Sequence, residues 1–317
     1  MQYLAYGLSI ESEITLPELV TVSEPRRAHD LHVRLGRGPR SQSKHLRWVF
    51  RLDRPSGAPW LSCARAREGY LVRFAGIADF TVTFDGREIV CWPATREDDD
   101  TLRHLLLDQV VPLTFKLRGR EALHATAVRT PQGVCAFVGP TGSGKSTVAA
   151  GFLKAGYPVI SDDCLILYSC AQRICAVPAY PGVRLWEDVL SAVDDGGQLL
   201  PVGGHTAKQR WLPRGVRALF PTDVQPLKRI YRLMRPQGAR QPHAIPASRL
   251  EPMSAREAFM ELVDATFRID AIDRDMLTRE FRFWEYAALA VPMRWLWLEN
   301  DPDSSRAREA VLEDLGR

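Results

Sequence analysis

Gly139-Pro140-Thr141-Gly142-Ser143-Gly144-Lys145-Ser146 decides how the rest of this 317-residue chain is read. The stretch has the form G-x-x-x-x-G-K-[ST], the spacing of a loop that wraps phosphate in backbone N–H groups. Its flanks agree. Val134 to Val138 is an apolar run of strand length, and Thr147 to Lys154 is helical in composition and ended by Gly156 and Pro158. The glycines let the loop turn its N–H groups inward as a nest, and the helix adds the positive end of its dipole. Gly139, Thr141, Gly142, Ser143, Gly144, Lys145, Ser146 and Thr147 are therefore expected to hold a nucleotide. Lys145 would reach the β- and γ-phosphates, and the Ser146 hydroxyl would ligate Mg²⁺. The competing reading is a glycine-rich turn that carries an exposed lysine.

Downstream, Tyr157-Pro158-Val159-Ile160-Ser161-Asp162-Asp163 is a short apolar strand that finishes in two carboxylates. Ligands of open α/β sheets bind at the carboxyl ends of strands, which puts this pair beside the loop. One carboxylate can hold Mg²⁺ and the other can take the proton of an attacking hydroxyl, the two demands of phosphoryl transfer beyond positioning and charge. The alternative is a solvated Asp-Asp turn or a helix cap. Upstream, His124 stands just before the strand that feeds the loop, either to orient an aspartate or contact phosphate, or as a hydrogen-bonded packing residue.

Further out, residues 203–250 are strongly basic, with Lys208, Arg210, Arg214, Arg217, Lys228, Arg229, Arg232, Arg235, Arg240 and Arg249 against Asp223 alone among the acids. Gly196 to Arg214 reads as a mobile loop able to close over phosphates, with Lys208 or Arg210 neutralising charge in the transition state. A solvated basic loop and a holder for an acidic peptide are the other readings. Lys228 to Leu233 is strand-like. Ser254-Ala255-Arg256-Glu257 forms a capping box ahead of a helix from Ala258 to Phe267, and Phe281 to Leu289 reads as another helix. Its Phe283, Trp284 and Tyr286 are expected in the core, with a peptide groove as the alternative.

The first hundred residues have a different texture. Runs at 30–35, 70–74 and 80–84 alternate as strands, and Phe80 to Phe84, Asp85-Gly86 and Glu88 to Trp92 together signal a hairpin. Residues 1–100 are thus expected to form a β-rich domain. Residues 101–118 would be a connector helix with Asp98, Asp99 and Asp100 at its positive end and a kink at Pro112. Residues 119–317 would be a domain of alternating strands and helices, ending in a strand at 294–298 and a charged helix after Asp303. With 45% hydrophobic residues the chain can bury a large core, and a net charge of +4 does not imply nucleic acid. No apolar run is long enough to span a bilayer and no secretory signal opens the chain, so no membrane association and a cytoplasmic location are expected. Cys63, Cys91, Cys135, Cys164, Cys170 and Cys175 form no C-x-x-C pair and are expected reduced and mostly buried.

The combination of Leu123-His124-Ala125, the phosphate loop, Ile160 to Asp163 and Tyr180-Pro181-Gly182-Val183-Arg184-Leu185-Trp186 resembles the kinase domain of the HPr kinase/phosphorylase family. It is most similar to the kinases associated with lasso-peptide biosynthesis, which phosphorylate a serine hydroxyl of a ribosomally made precursor. The resemblance covers about 120–190 well and the rest loosely. It implies an α/β P-loop kinase core of the HPr kinase and phosphoenolpyruvate carboxykinase type behind a β-rich N-terminal domain. It also implies ATP and Mg²⁺ as cofactors, a peptide or small-protein substrate with a serine hydroxyl, and a homo-oligomer. By the same resemblance Lys145 and Ser146 serve phosphate and metal, Asp162 is the general base, Asp163 assists metal or lysine, and His124 supports the carboxylate. Where the bifunctional enzymes have a Glu-Ile-Arg-Gly segment, this chain has Ala179-Tyr180-Pro181-Gly182, which leaves the metal coordination and any phosphorylase activity open. Arg184 either replaces some of the lost charge or stacks on Trp186. A carrier-protein kinase, a small-molecule alcohol kinase and a nucleotide-gated binding module remain as alternative functions.

Overall fold

A computed structural model describes residues 1–22, 28–37, 46–54, 56–94, 99–193, 196–204, 206–235, 249–268, 270–298 and 304–316. Asp98, Arg240 and Asp303, each invoked above, lie outside the described residues. The chain divides into two compact units, one made of Met1–Glu121, Val202–Ala207 and Phe267–Glu280, the other of Ala122–Pro201, Lys208–Thr266 and Phe281–Arg317.

In the first unit, alternating apolar residues build a nine-stranded sheet. Its strands are β1 (Gln2–Ala5), β2 (Leu8–Ser12), β3 (Val20–Thr21), β4 (Leu31–Leu35), β5 (Arg47–Asp53), β6 (Pro59–Arg65), β7 (Gly69–Phe74), β8 (Ala78–Thr83) and β9 (Glu88–Pro93), in the order β3-β1-β2-β4-β9-β8-β7-β6-β5. Tyr70, Val72 and Phe74 on β7, Phe80 and Val82 on β8, and Ile89 and Cys91 on β9 are all buried at a spacing of two, which puts them on one face. The expected β8–β9 hairpin is present. Gly86 takes φ +66°, and a Cβ there would sit 2.7 Å from the Thr114 carbonyl oxygen, so both conformation and space call for glycine.

The connector stretch belongs to this unit and is not one regular helix. It runs as α1 (Asp99–Leu105), a π-helical turn (Leu106–Val110) and α2 (Val111–Leu117). Pro112 has no N–H to offer Asp108 four residues back, and the expected kink takes the form of this wide turn immediately before it. On α2, Lys116 is buried to 1% exposure and donates from Nζ to Glu121 Oε2 (2.6 Å) and Glu280 Oε2 (2.7 Å). Arg268 Nε donates to Glu280 Oε1 (3.0 Å), and Arg279 Nε lies 3.6 Å from Glu121 Oε1. Nearby in the same unit, Tyr70 OH donates to the buried Asp270 at 2.8 Å.

The second unit is built on a mixed sheet. Its central path runs β10-β14-β15-β19-β12-β11-β13, with β10 at Glu121–Leu123, β11 at Ala125–Thr130, β12 at Gly133–Val138, β13 at Val159–Ser161, β14 at Leu165–Cys170, β15 at Arg173–Val177 and β19 at Gln225–Met234. β21 (Met293–Trp297) pairs with β19 and with β20 (Leu250–Pro252). Helices cover both faces. Val128, Cys135, Phe137 and Tyr231 pack with Val148 and Phe152 of α3 (Lys145–Lys154) and Val311 of α8 (Ser305–Leu315). Ala127, Ala136 and Ile230 pack with Ala258 and Leu262 of α6 (Ala255–Asp264) and with Trp284 of α7 (Arg274–Ala290). The capping box of α6 forms as expected, and α6 starts and stops about three residues earlier than its sequence suggested. Trp284 is fully buried and Phe283 packs on the core, while Tyr286 is partly exposed and donates to the Gln172 carbonyl oxygen. Five cysteines are buried and Cys170 is exposed.

Residues 196–214 depart from the expected loop. β17 (Gln198–Pro201) and β18 (Gln209–Leu212) pair with each other, and β18 pairs with β16 (Val183–Leu185) to make a three-stranded sheet. Trp211, 1% exposed in the core beside Val183 and Leu185, anchors it, a burial that the Gly- and Pro-rich composition conceals. Short helices α4 (Glu187–Val193) and α5 (Val216–Leu219) follow β16 and β18.

Candidate functional site

Strand direction assembles the site. β11 is antiparallel to both β12 and β13, with Ala125 opposite Val138 and Ala127 opposite Ser161, while β19 runs parallel to β12 with Val138 opposite Arg232. One sheet edge therefore collects the end of β12, the end of β13, the end of β19 and the start of β11. The phosphate loop, Asp162-Asp163, Arg235 and His124 are the residues that step off those four ends.

Within the loop Gly139, Gly142 and Gly144 take φ of +154°, +83° and +102°. A Cβ on Gly139 would meet Ser143 Oγ at 2.7 Å and Arg232 Nη1 at 3.0 Å, whereas one on Gly142 would meet nothing within 4 Å. The loop is tight at its base and open at its crown. The first-turn N–H groups of α3 have no carbonyl four residues back to bond, and the buried Ser143 Oγ has no partner among the described residues. Lys145 Nζ donates to the Gly139 (2.7 Å) and Pro140 (3.2 Å) carbonyl oxygens of its own loop. Burial pulls its pKa down to about 8 although Asp162 opposes the shift, and Lys208, Arg232 and Arg184 add to it. An ammonium held by two neutral carbonyls, the N–H groups at the start of a helix and an open crown make a donor set that fits a polyphosphate.

Asp162 is 4% exposed and uses both oxygens inside the protein. Oδ1 accepts from Thr126 Oγ1 (2.8 Å) and Ser146 Oγ (3.0 Å), and Oδ2 accepts from the Arg184 backbone N–H (2.8 Å). Asp163 instead lines a cavity of about 250 Å³ together with His124, Lys145, Ser146, Arg184, Trp186 and Lys208. Its φ is +71°, a left-handed conformation that aspartate tolerates better than most residues, and its carboxylate is paired with Arg184 Nη2. The two carboxylates expected to share a task are thus separated, one beneath the Ser146 hydroxyl and one facing the cavity. For Mg²⁺ the donors at hand are Ser146 Oγ and the adjacent Asp162 Oδ1; Asp163, the expected metal carboxylate, is engaged with Arg184. Among the described residues no group of three or more His, Cys, Asp or Glu side chains could hold a metal ion, so a cation here would draw further ligands from phosphate and water.

His124 Nδ1 lies 3.0 Å from the Asp163 carbonyl oxygen. A carbonyl only accepts, so Nδ1 carries the hydrogen and the ring fixes the Asp163 backbone, not the carboxylate of Asp162. Burial, with Lys145 and Arg184 assisting, pushes the His124 pKa down to about 4, so the imidazole is neutral near pH 7.

The basic residues sort by strand register. On paired strands β16 and β18, Arg184 stands opposite Arg210. Arg184 engages Asp163, and Lys208 lies over the ring of Trp186, its Nζ 5.4 Å from the centroid. Arg210 differs from expectation. It is buried with its guanidinium 4.6 Å over the Tyr180 ring, donates to Tyr180 OH at 3.1 Å, and does not line the cavity. Tyr180, standing in the segment that departs from Glu-Ile-Arg-Gly, holds it back. Arg235 was one basic residue among many in the sequence, yet it lines the cavity, with Nε 3.4 Å from the Ser143 carbonyl oxygen. Its position one residue past a strand parallel to β12 was the signal, and that signal depends on sheet order.

No family model matches the chain, and no curated protein matches it. Among solved structures it is similar to the Hpr(Ser) kinase/phosphatase from Coxiella burnetii, with a TM-score of 0.33 and 11% identity over 61% of this chain and 98% of that one.

Proposed function

We propose that the chain is an ATP- and Mg²⁺-dependent phosphotransferase that moves a γ-phosphoryl group to a serine hydroxyl, on a ribosomally made precursor peptide of the lasso class. The observation that carries the reading is the meeting, at one sheet edge, of an open phosphate loop, a buried carboxylate on its Ser146 hydroxyl and a second carboxylate facing the cavity. In this reading Lys145 exchanges its two loop carbonyls for phosphate oxygens. Ser146 and Asp162 would hold the cation, and the chemistry it would supply is neutralisation of the charge that develops on the phosphates. Asp163 accepts the serine proton as the oxygen–phosphorus bond forms and the bond to the ADP oxygen breaks. Arg184 and Lys208 supply positive charge around the transferred group, and His124 keeps the Asp163 peptide in place. The motif resemblance supports the peptide acceptor; the geometry supports transfer to a hydroxyl.

The test is incubation with γ-labelled ATP, Mg²⁺ and a serine-terminated lasso precursor, an HPr-type carrier protein or no acceptor, read by intact mass. One phosphate on the precursor, lost with Asp163→Asn, is expected. Label on the carrier alone would move the activity to carrier-protein phosphorylation, and label on neither would overturn the serine-kinase reading.

A further inference from the structure

We propose that Trp186 is the platform on which the nucleotide's purine ring stacks, so that this cavity selects purine over pyrimidine nucleotides. The proposal rests on the nucleotide-binding reading above and is independent of the acceptor. Trp186 follows β16 directly, two residues beyond Arg184, and so shares the face of the strand that Arg184 turns toward Asp163. The cavity that contains the phosphate loop and Thr147 of α3 also takes in Trp186, Asp188 and Val189 around the start of α4. It therefore extends from phosphate-binding chemistry to an aromatic and an aliphatic side chain, the sequence of surfaces a nucleotide needs from its phosphates to its base.

Two comparisons within the fold set Trp186 apart. Trp211, on the same small sheet, is fully buried as an anchor, whereas Trp186 is 49% exposed. Besides Leu185 and Val189 the cavity is otherwise lined by charged, hydroxyl and glycine residues and the His124 imidazole, and among the described residues the indole is its one large aromatic ring. Lys208 takes up part of the ring surface by a cation–π contact at 5.4 Å, and its own pKa is lowered by burial and by Arg184. The remaining ring surface is what a base can cover. Stacking of a base on an aromatic side chain is sequence-tolerant, and purines offer it the larger face.

The experiment measures dissociation constants of ATP, CTP and inorganic tripolyphosphate for the full chain and its Trp186→Ala and Trp186→Phe variants, with thermal melts to verify folding. Base–aromatic stacking of about 1–3 kcal/mol corresponds to a weakening of ATP by about 5- to 150-fold in Trp186→Ala. Tripolyphosphate, which has no base, is expected to stay within about 2-fold, and CTP to lose less than ATP. Trp186→Phe keeps a stacking face and is expected to retain most ATP affinity. Unchanged ATP affinity in Trp186→Ala, or an equal loss for tripolyphosphate, overturns the proposal. A wild-type protein that binds none of the three ligands overturns the nucleotide reading and this proposal together, whereas Trp186-dependent ATP binding without transfer to any serine leaves the platform standing and removes only the kinase step.

Discussion

Two assemblies of buried charge, one in each unit, obey different rules. Around Lys116, ammonium and guanidinium groups face carboxylates at 2.6–3.0 Å, and Lys116, Glu121 and Glu280 are each 1% exposed at their side chains. Around Lys145, the ammonium binds backbone carbonyls while the nearest carboxylates are occupied by two hydroxyls, a backbone N–H and an arginine. The first set has spent its charges on each other. In the second, Lys145 rests on partners that a ligand can replace at little cost, because a carbonyl is a weaker partner for an ammonium than phosphate is. Burial and charge alone do not mark a functional site; the exchangeability of the partners does.

The contrast breaks most visibly if Asp162 and Asp163 behave alike. Asp163→Asn is expected to slow transfer by about 10²- to 10⁴-fold with ATP affinity nearly intact, the usual worth of a general base. Asp162→Asn should in addition weaken ATP in the presence of Mg²⁺, a difference that titrations with and without Mg²⁺ will reveal. At the sealed cluster, Lys116→Ala strands two buried carboxylates and is expected to cost about 3–5 kcal/mol of unfolding free energy in denaturant melts.

A smaller effect tests exchangeability itself. Burial holds the Lys145 pKa down to about 8, and a bound polyphosphate anion raises it, so ATP binding near pH 8 should take up a proton. Calorimetry in buffers of different ionisation enthalpy would measure that uptake, and affinity should fall by up to about tenfold per pH unit above pH 8. The same depressed pKa makes the protein gain stability as pH rises from about 8 to 10.5. His124 works in the opposite range: its pKa is held near 4 against an ordinary 6.5, so stability is lost as pH falls through that window. The smallest effect concerns Arg210. Its loss to Ala removes a stack on Tyr180 and the hydrogen bonds to Tyr180 OH and the Gly182 carbonyl oxygen, and is expected to cost about 1–2 kcal/mol of stability while ATP affinity stays within about 2-fold.

What the sequence made legible was what is local. The glycine-rich turn from strand to helix is eight consecutive residues, the β8–β9 hairpin is one turn, and the α6 capping box spans four positions; each is specified by its own chain neighbourhood. Gly196 to Arg214 was opaque because β17 and β18 hold together through the burial of Trp211 against β16, a long-range contact that no short window records. Arg235 and Arg210 were indistinguishable as letters in a basic run. They part company only when β19 lies parallel beside the loop strand and Tyr180 stands over Arg210. The different surroundings of Asp162 and Asp163 likewise turn on one left-handed backbone at Asp163, which two adjacent aspartates do not announce.

The sealed cluster also sets a timetable for biosynthesis. Lys116 and its partner Glu280 are 164 residues apart in the chain. At a translation rate of about 5–20 residues per second, the ammonium waits roughly 8–30 s for that carboxylate to leave the ribosome. The β-rich unit, although its sheet is synthesised first, thus lacks part of its buried charge network until Glu280 has been made.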